Sequence, residues 1–363
     1  MKVVSQSLKS APHQIESASG GSARKINNDE ASVIKLDFDE NPLGMSPTAR
    51  EMAHAAIAES TRYPDANGLD LKTSISAKYR VPLDWLTLGA GSSDILELVA
   101  TAFLGPGKSA VFSRFSYHAY AQAALRSGAE AIPVPTRDFG NDLNAMLEAV
   151  RENTSVVFIA NPNNPTGTYL QSEELTTFVE KLPKHVLLVL DEAYNEYLRD
   201  DLRHDSIPLV RNHPNVLVTR TFSKAYGLAG LRIGYSISTQ FVTEYLNRIR
   251  LPFNVSNVAQ AAAIGALRDE KFLQCTFDAN ERGMSQLSTG LRKLAIPFVV
   301  SHANFILARF GEATNRVNRL LLGHNIVVRS VADYGLEDWL RISIGVEEQT
   351  EKLLETLRQP KWR

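Results

Sequence analysis

The chain has 363 residues, 44% hydrophobic and 22% charged, with a formal net charge of −1; this is the make-up of an ordinary globular protein long enough for two domains. There is no sustained basic block, so nucleic acid is not an expected partner, and a single cysteine, Cys275, excludes an intrachain disulfide and fits a reducing cytoplasm. The eight histidines show no metal-ligand spacing, and neither a signal-peptide core nor a long apolar run occurs, so no metal, no membrane partner and a cytoplasmic location are expected.

Residues 1 to about 30 are rich in Ser, Ala, Gly and Asn and read as an arm that orders on another surface. A helix is expected to start at Ser46-Pro47-Thr48, where serine can cap and proline can take the first turn. The turn-rich Tyr63-Pro64-Asp65-Ala66-Asn67-Gly68 precedes a second helix. Strands are then predicted at 85–88, 110–113, 131–135, 156–160, 186–190, 216–220 and 233–237, alternating with helical stretches. Several are continuous apolar runs, the pattern of a largely parallel sheet covered by helices on both faces. Helices at 257–267 and 278–294 precede strands at 298–300, 305–308, 327–329 and 340–344, which read as a smaller α+β domain joined by the segment 36–38. The expected division is therefore 1–45 as arm and part of the small domain, 46–254 as a large α/β domain and 255–363 as the small α+β domain.

Four motifs fall at the carboxyl ends of the predicted strands, where open parallel sheets bind ligands. Gly89-Ala90-Gly91-Ser92-Ser93-Asp94 opens a helix whose free N–H groups suit an anion, although a simple turn and cap would look the same. Asn161-Pro162-Asn163-Asn164-Pro165-Thr166-Gly167 must turn, and Asn164 within it could hydrogen-bond an oxygen at the strand end. Asp191-Glu192-Ala193-Tyr194 ends a buried strand with an acid that needs a cationic partner, a helix cap or an ion pair. Thr221-Phe222-Ser223-Lys224 leads through a glycine-rich connection to Arg232; alone, Lys224 would be a solvated loop lysine. Together the four supply a Schiff-base lysine, an acid for a ring nitrogen, donors for a ring oxygen and a phosphate cradle, the set that pyridoxal 5′-phosphate requires.

With Glu40-Asn41-Pro42-Leu43-Gly44, Arg62-Tyr63-Pro64-Asp65 and Trp339-Leu340-Arg341-Ile342-Ser343-Ile344-Gly345 added, the chain resembles the fold-type I pyridoxal-phosphate aminotransferases over roughly 36–358, and among them the histidinol-phosphate aminotransferase group. The resemblance implies pyridoxal 5′-phosphate as cofactor, a small-molecule amino donor, a 2-oxo acid acceptor and a homodimer with shared active sites. Lys224 would carry the cofactor as a Schiff base and move the proton, Asp191 would pair with the pyridine nitrogen, and Asn164 and Tyr194 would bond the ring oxygen. Tyr117 would stack on the ring, while Gly91, Ser92, Ser93, Thr221, Ser223 and Arg232 would hold the phosphate, joined by Tyr63 from the neighbouring subunit. Arg341 would take the substrate anion, with Arg329 and Asn41 as further substrate-binding candidates.

The departures from the group lie near the substrate. The arm has Pro12-His13 and no tyrosine before Tyr63, Asp39 replaces a usual asparagine, and Ala90 and Ser93 replace a usual asparagine and aspartate. An aromatic amino-acid aminotransferase and a threonine-phosphate decarboxylase are the alternatives on the same fold. A transcription regulator built on it would need a helix-turn-helix domain, which some 30 irregular residues cannot form.

Overall fold

The structure is a computed structural model that describes residues 33–203 and 205–360, so the arm predicted for residues 1 to about 30 lies outside the described residues. From Ile34 onward the described residues form one compact unit built on two sheets. Among them, no helix is long and apolar enough to cross a membrane.

Seven strands make the larger sheet: β2 (Leu86–Gly89), β3 (Ser109–Ser113), β4 (Glu130–Val134), β5 (Thr154–Ala160), β6 (Leu187–Asp191), β7 (Val216–Thr221) and β8 (Gly234–Ser238), in the order β2-β8-β7-β6-β5-β3-β4. All pairings from β4 to β7 are parallel, and β8 runs against both of its neighbours. The central strands are buried throughout because helices cover both faces, so apolar residues on either face leave water. The antiparallel return from β7 to β8 has a direct structural cause. No crossover helix intervenes, and Phe222 N–H donates to Ile233 O at 3.1 Å as the chain doubles back. That return carries Lys224.

The smaller sheet is β1 (Ile34–Leu36), β11 (Ile326–Ser330), β12 (Trp339–Ser343), β10 (Phe305–Arg309) and β9 (Phe298–Val299). The chain's early residues enter it through β1, which pairs in parallel with β11, Leu36 opposite Val328. This pairing delivers residues 37–44 to the mouth of the larger sheet.

Helix Asn257–Arg268 packs differently from the predicted division near 254. It lies on helix Pro47–Ile57 through small residues, and a Cβ on Gly265 would come within 2.8 Å of Ala49 Cα. Both helices share one apolar cluster with Leu86, Leu88, Tyr235 and Ile237 of the larger sheet. Its apolar face is mostly alanine, which marks a close approach without identifying the partner. The next helix, Glu270–Lys293, begins earlier than predicted because Asp269 caps it, accepting from Phe272 N–H at 3.1 Å.

Candidate active site

The four strand-end motifs converge on a cavity of about 160 Å³ at the carboxyl edge of the larger sheet. Its wall includes Ser92, Ser93, Tyr117, Asn164, Asp191, Tyr194, Thr221, Ser223, Lys224 and Arg232. Five candidates are not part of that wall: Gly91 and Arg341, which lie directly behind it, and Arg329, Tyr63 and Asn41. Arg329 pairs with Asp333, Tyr63 is 83% exposed and stacks on Phe253 with centroids 4.7 Å apart, and Asn41 is turned into the protein.

One end of the cavity has the donors an anion needs. Helix Ser92–Phe103 starts behind Gly91, which offers no capping side chain, so the first-turn N–H groups have no side-chain cap. Arg232 Nη1 donates to Ser223 Oγ at 3.1 Å and to Ala229 O at 3.0 Å, and Thr221 Oγ1 donates to Ser223 Oγ at 3.0 Å. Gly91 has φ of 89°, and a Cβ there would overlap Arg232 Nη2. Glycine is required at this point both for the backbone angle and for the approach of the arginine.

The other polar wall is the end of β6. Successive residues of a strand face opposite ways, and this separates the two acids of Asp191-Glu192. Asp191 faces the cavity and accepts from Tyr120 Oη at 2.9 Å and Thr219 Oγ1 at 3.1 Å. Burial raises its pKa, and those two hydroxyls partly oppose the shift. Glu192 points away and binds Arg220 through Nε at 2.9 Å and Nη2 at 2.7 Å, and it also accepts from Ser206. Nothing in the local sequence singles out Tyr120. It sits one helical turn beyond Tyr117 and stacks on Phe158 at 4.9 Å, so its spacing is that of any core aromatic.

The asparagine-rich loop divides its labour. Asn161 Oδ1 accepts from Leu170 N–H at 2.7 Å, and Asn163 Nδ2 donates to Phe115 O at 2.7 Å; both stitch the loop to its surroundings. Asn164 lines the cavity, and its Oδ1 accepts from Arg341 Nη1, which leaves Nδ2 as the free-facing end of the amide.

Lys224 Nζ donates to Phe38 O at 2.7 Å, lies 3.8 Å from Asp39 Oδ2 and sits 5.7 Å from the Tyr194 ring centroid. Burial lowers its pKa, while Asp39 pulls in the other direction. Tyr194 was expected to serve a ring oxygen; here its hydroxyl donates to Asp39 Oδ2 at 3.2 Å, and burial and then Asp39 push its pKa well up. Arg341 is buried at 5% exposure, behind the cavity wall. Burial works against its charge, yet Asp39 and Tyr194 beside it outweigh that and raise its pKa. Asn41, expected at the substrate, is a strap instead. Its Nδ2 donates to Ala225 O at 2.8 Å and Thr276 Oγ1 at 3.0 Å, and its Oδ1 accepts from Leu43 N–H at 2.9 Å. This fastens the 41–44 turn over the lysine loop, where a Cβ on Gly227 would overlap Gly44 O.

A family profile described as "Aminotransferase class I and II" matches residues 31–357. Histidinol-phosphate aminotransferase 1 of Cupriavidus pinatubonensis is 52% identical over 93% of this chain and 90% of its own length. Histidinol-phosphate aminotransferase 2 of Ralstonia nicotianae is 49% identical over 90% and 88%. Among solved structures, histidinol-phosphate aminotransferase from Sinorhizobium meliloti in complex with pyridoxal-5′-phosphate superposes with a TM-score of 0.84, at 29% identity, covering 90% of this chain and 91% of that one.

Proposed function

This chain belongs to the class I and II aminotransferase family, and from that premise we propose that it moves the amino group of histidinol phosphate to 2-oxoglutarate. It is a pyridoxal-phosphate-dependent aminotransferase. The observation that carries the reading is the convergence of Lys224, Asp191 and the Gly91–Arg232 cradle on one cavity. The choice of donor is supported by relatives of that name at 52% and 49% identity over nearly the whole chain.

The donor set fits the cofactor. A buried carboxylate with no cationic partner among the described residues suits a protonated pyridine nitrogen, an uncapped helix start beside Arg232 suits a phosphate, and a primary amine lines the same cavity. Bound there, pyridoxal phosphate supplies an electron sink for the pair released when a bond at the substrate's α-carbon breaks. The protein's part is to hold and to move protons. Asp191 would hold the proton on the ring nitrogen, with Tyr120 and Thr219 fixing the carboxylate. Asn164 Nδ2 would donate to the ring oxygen, since Arg341 holds the other end of its amide. The lowered pKa of Lys224 puts more of its amine in the neutral form, able to take a proton from the α-carbon. Arg341 is the anion partner for substrate, since a guanidinium can hold either a phosphate or a carboxylate.

The two sheets support a reading with a larger cofactor-binding domain and a smaller one that supplies Arg341, and the packing of Asn257–Arg268 favours counting that helix with the former. A homodimer with shared sites is part of the same reading. Tyr63 is exposed near Phe253, with Leu69 and Leu251 also exposed, and it would reach the cofactor phosphate of the neighbouring subunit. A cytoplasmic location completes the reading.

The test is to add single donors to the purified, cofactor-loaded enzyme and follow the cofactor's absorbance to its amine form. Histidinol phosphate should convert it and 2-oxoglutarate should reverse the change. Conversion by phenylalanine without response to histidinol phosphate would overturn the donor assignment.

A further inference from the structure

Asp39 sits between β1 and the 41–44 turn, 1% exposed. Its Oδ2 lies 2.9 Å from Arg341 Nη2, 3.2 Å from Tyr194 Oη and 3.8 Å from Lys224 Nζ. Its Oδ1 accepts from Ser343 Oγ at 2.8 Å, Ser343 Oγ accepts from Asp39 N–H at 3.0 Å, and Asn304 Nδ2 donates to Asp39 O at 3.0 Å. The residue has φ of 56°, in the left-handed region that aspartate and asparagine tolerate better than most side chains. Every polar atom of Asp39 is engaged, by β12 of the smaller sheet, by Asn304 and by the loops that follow β6 and β7 of the larger one.

This carboxylate does to Arg341 what a substrate anion would do. Arg341 Nη2 is shared between Asp39 and Asp37 O, the latter at 2.9 Å, and Nη1 is on Asn164. Nε is buried with no partner among the described residues. A guanidinium in this state is charge-compensated and has most of its donors committed.

We propose that Asp39 is a specificity-determining residue: a resident anion on Arg341, which the carboxylate or phosphate of a substrate must displace or share. The inference rests on the reading of Arg341 as the substrate-anion partner. The subsite then presents a compensated pair in place of a free positive charge, so simple carboxylates bind more weakly than Arg341 alone would allow. A ligand with more charge and more acceptor oxygens, such as a phosphate monoester, competes better against the resident carboxylate.

Succinate, an unreactive dicarboxylate, is the probe, titrated calorimetrically into the cofactor-loaded enzyme. Asp39→Asn keeps the left-handed backbone and a hydrogen-bonding side chain while removing the charge. It should bind succinate at least about tenfold more tightly, the scale of one charge-assisted hydrogen bond. Ser343→Ala leaves the charge but loosens its anchorage, and should tighten binding by a smaller factor. Arg341→Ala should abolish binding. If Arg341→Ala removes binding while Asp39→Asn, with unchanged melting temperature, binds no better than the parent, the resident-anion role is wrong and the reading of Arg341 stands. If Arg341→Ala binds as well as the parent, both are wrong. Should Asp39→Asn fail to fold, Ser343→Ala decides, and unchanged affinity there overturns the proposal.

Discussion

The two halves of this pocket are built on different plans. The side proposed to hold the cofactor is assembled from strand-end turns, each a short run of neighbouring residues set at the edge of one sheet: Gly91-Ser92, Asn164, Asp191, and the lysine loop through Arg232. The side proposed to meet the substrate is assembled across the molecule, with Asp39 entering from beyond β1, Arg341 from β12 and Asn164 and Tyr194 from loops at the edge of the larger sheet. The first half leaves charged groups facing the cavity, Asp191, Lys224 and Arg232 among them. The second half has its charges already compensated. On the proposed reading, the site is open toward its cofactor and restrained toward its substrate.

If the cofactor half is the chemical half, the largest effect belongs to its lysine. Lys224→Ala should reduce turnover by about 10³-fold or more and abolish the absorbance of the lysine-bound cofactor. A variant that kept both would remove the basis of the comparison. Next is Asp191→Asn, expected to lower turnover by about 10²-fold through loss of the ring-nitrogen partner. The same variant tests the buried charge in cofactor-stripped protein. The folded-state pKa of Asp191 is raised above its ordinary 3.8, so the folded protein holds this proton to higher pH than the unfolded chain does. Between the two pKa values stability must fall as pH rises. Stripped Asp191→Asn should thus match the parent below about pH 3.8 and become the more stable protein as pH rises through the folded-state pKa, read as the difference in melting temperature.

Smaller effects sharpen the picture. Gly91→Ala sets a side chain against Arg232 at a left-handed φ, a strain of about 1–3 kcal/mol, and should weaken cofactor affinity roughly tenfold in equilibrium dialysis. Parent-like affinity would mean that the cradle is not where the phosphate sits. Tyr120→Phe removes one of two hydroxyl donors to Asp191 and should weaken cofactor binding by about 1 kcal/mol, several-fold, with the fold intact. An effect as large as that of Asp191→Asn would give Tyr120 a role of its own.

Legibility in the sequence follows the same division. Strands β5, β6 and β7 could be read within a residue or two, because strands buried on both faces are nearly all apolar. The short turn that follows each of them, or the residue that closes it, inherits a position at the sheet edge, which is why Asn164, Asp191 and Lys224 reach the cavity. Tyr120 was not found because a core aromatic and a ligand to a buried carboxylate have the same helical spacing. Asn41 was expected at the substrate and turned inward, since its neighbours Ala225 and Thr276 come from distant parts of the chain. The helix at Asn257–Arg268 was readable as a helix, but an alanine face does not say which sheet it covers.

What the sequence determined by itself was a doubly covered, mainly parallel sheet and the order in which its strand ends offer a lysine, an acid and an anion cradle. Those properties depend on residues adjacent in the chain and on the period of burial. Only the tertiary structure decided that Asp39 already holds Arg341, and that Tyr194 turns its hydroxyl to Asp39. The pairing of β1 with β11 brings residue 39 beside residue 341. Charges so far apart in sequence interact only after folding has removed both from water, and in that environment each fixes the other.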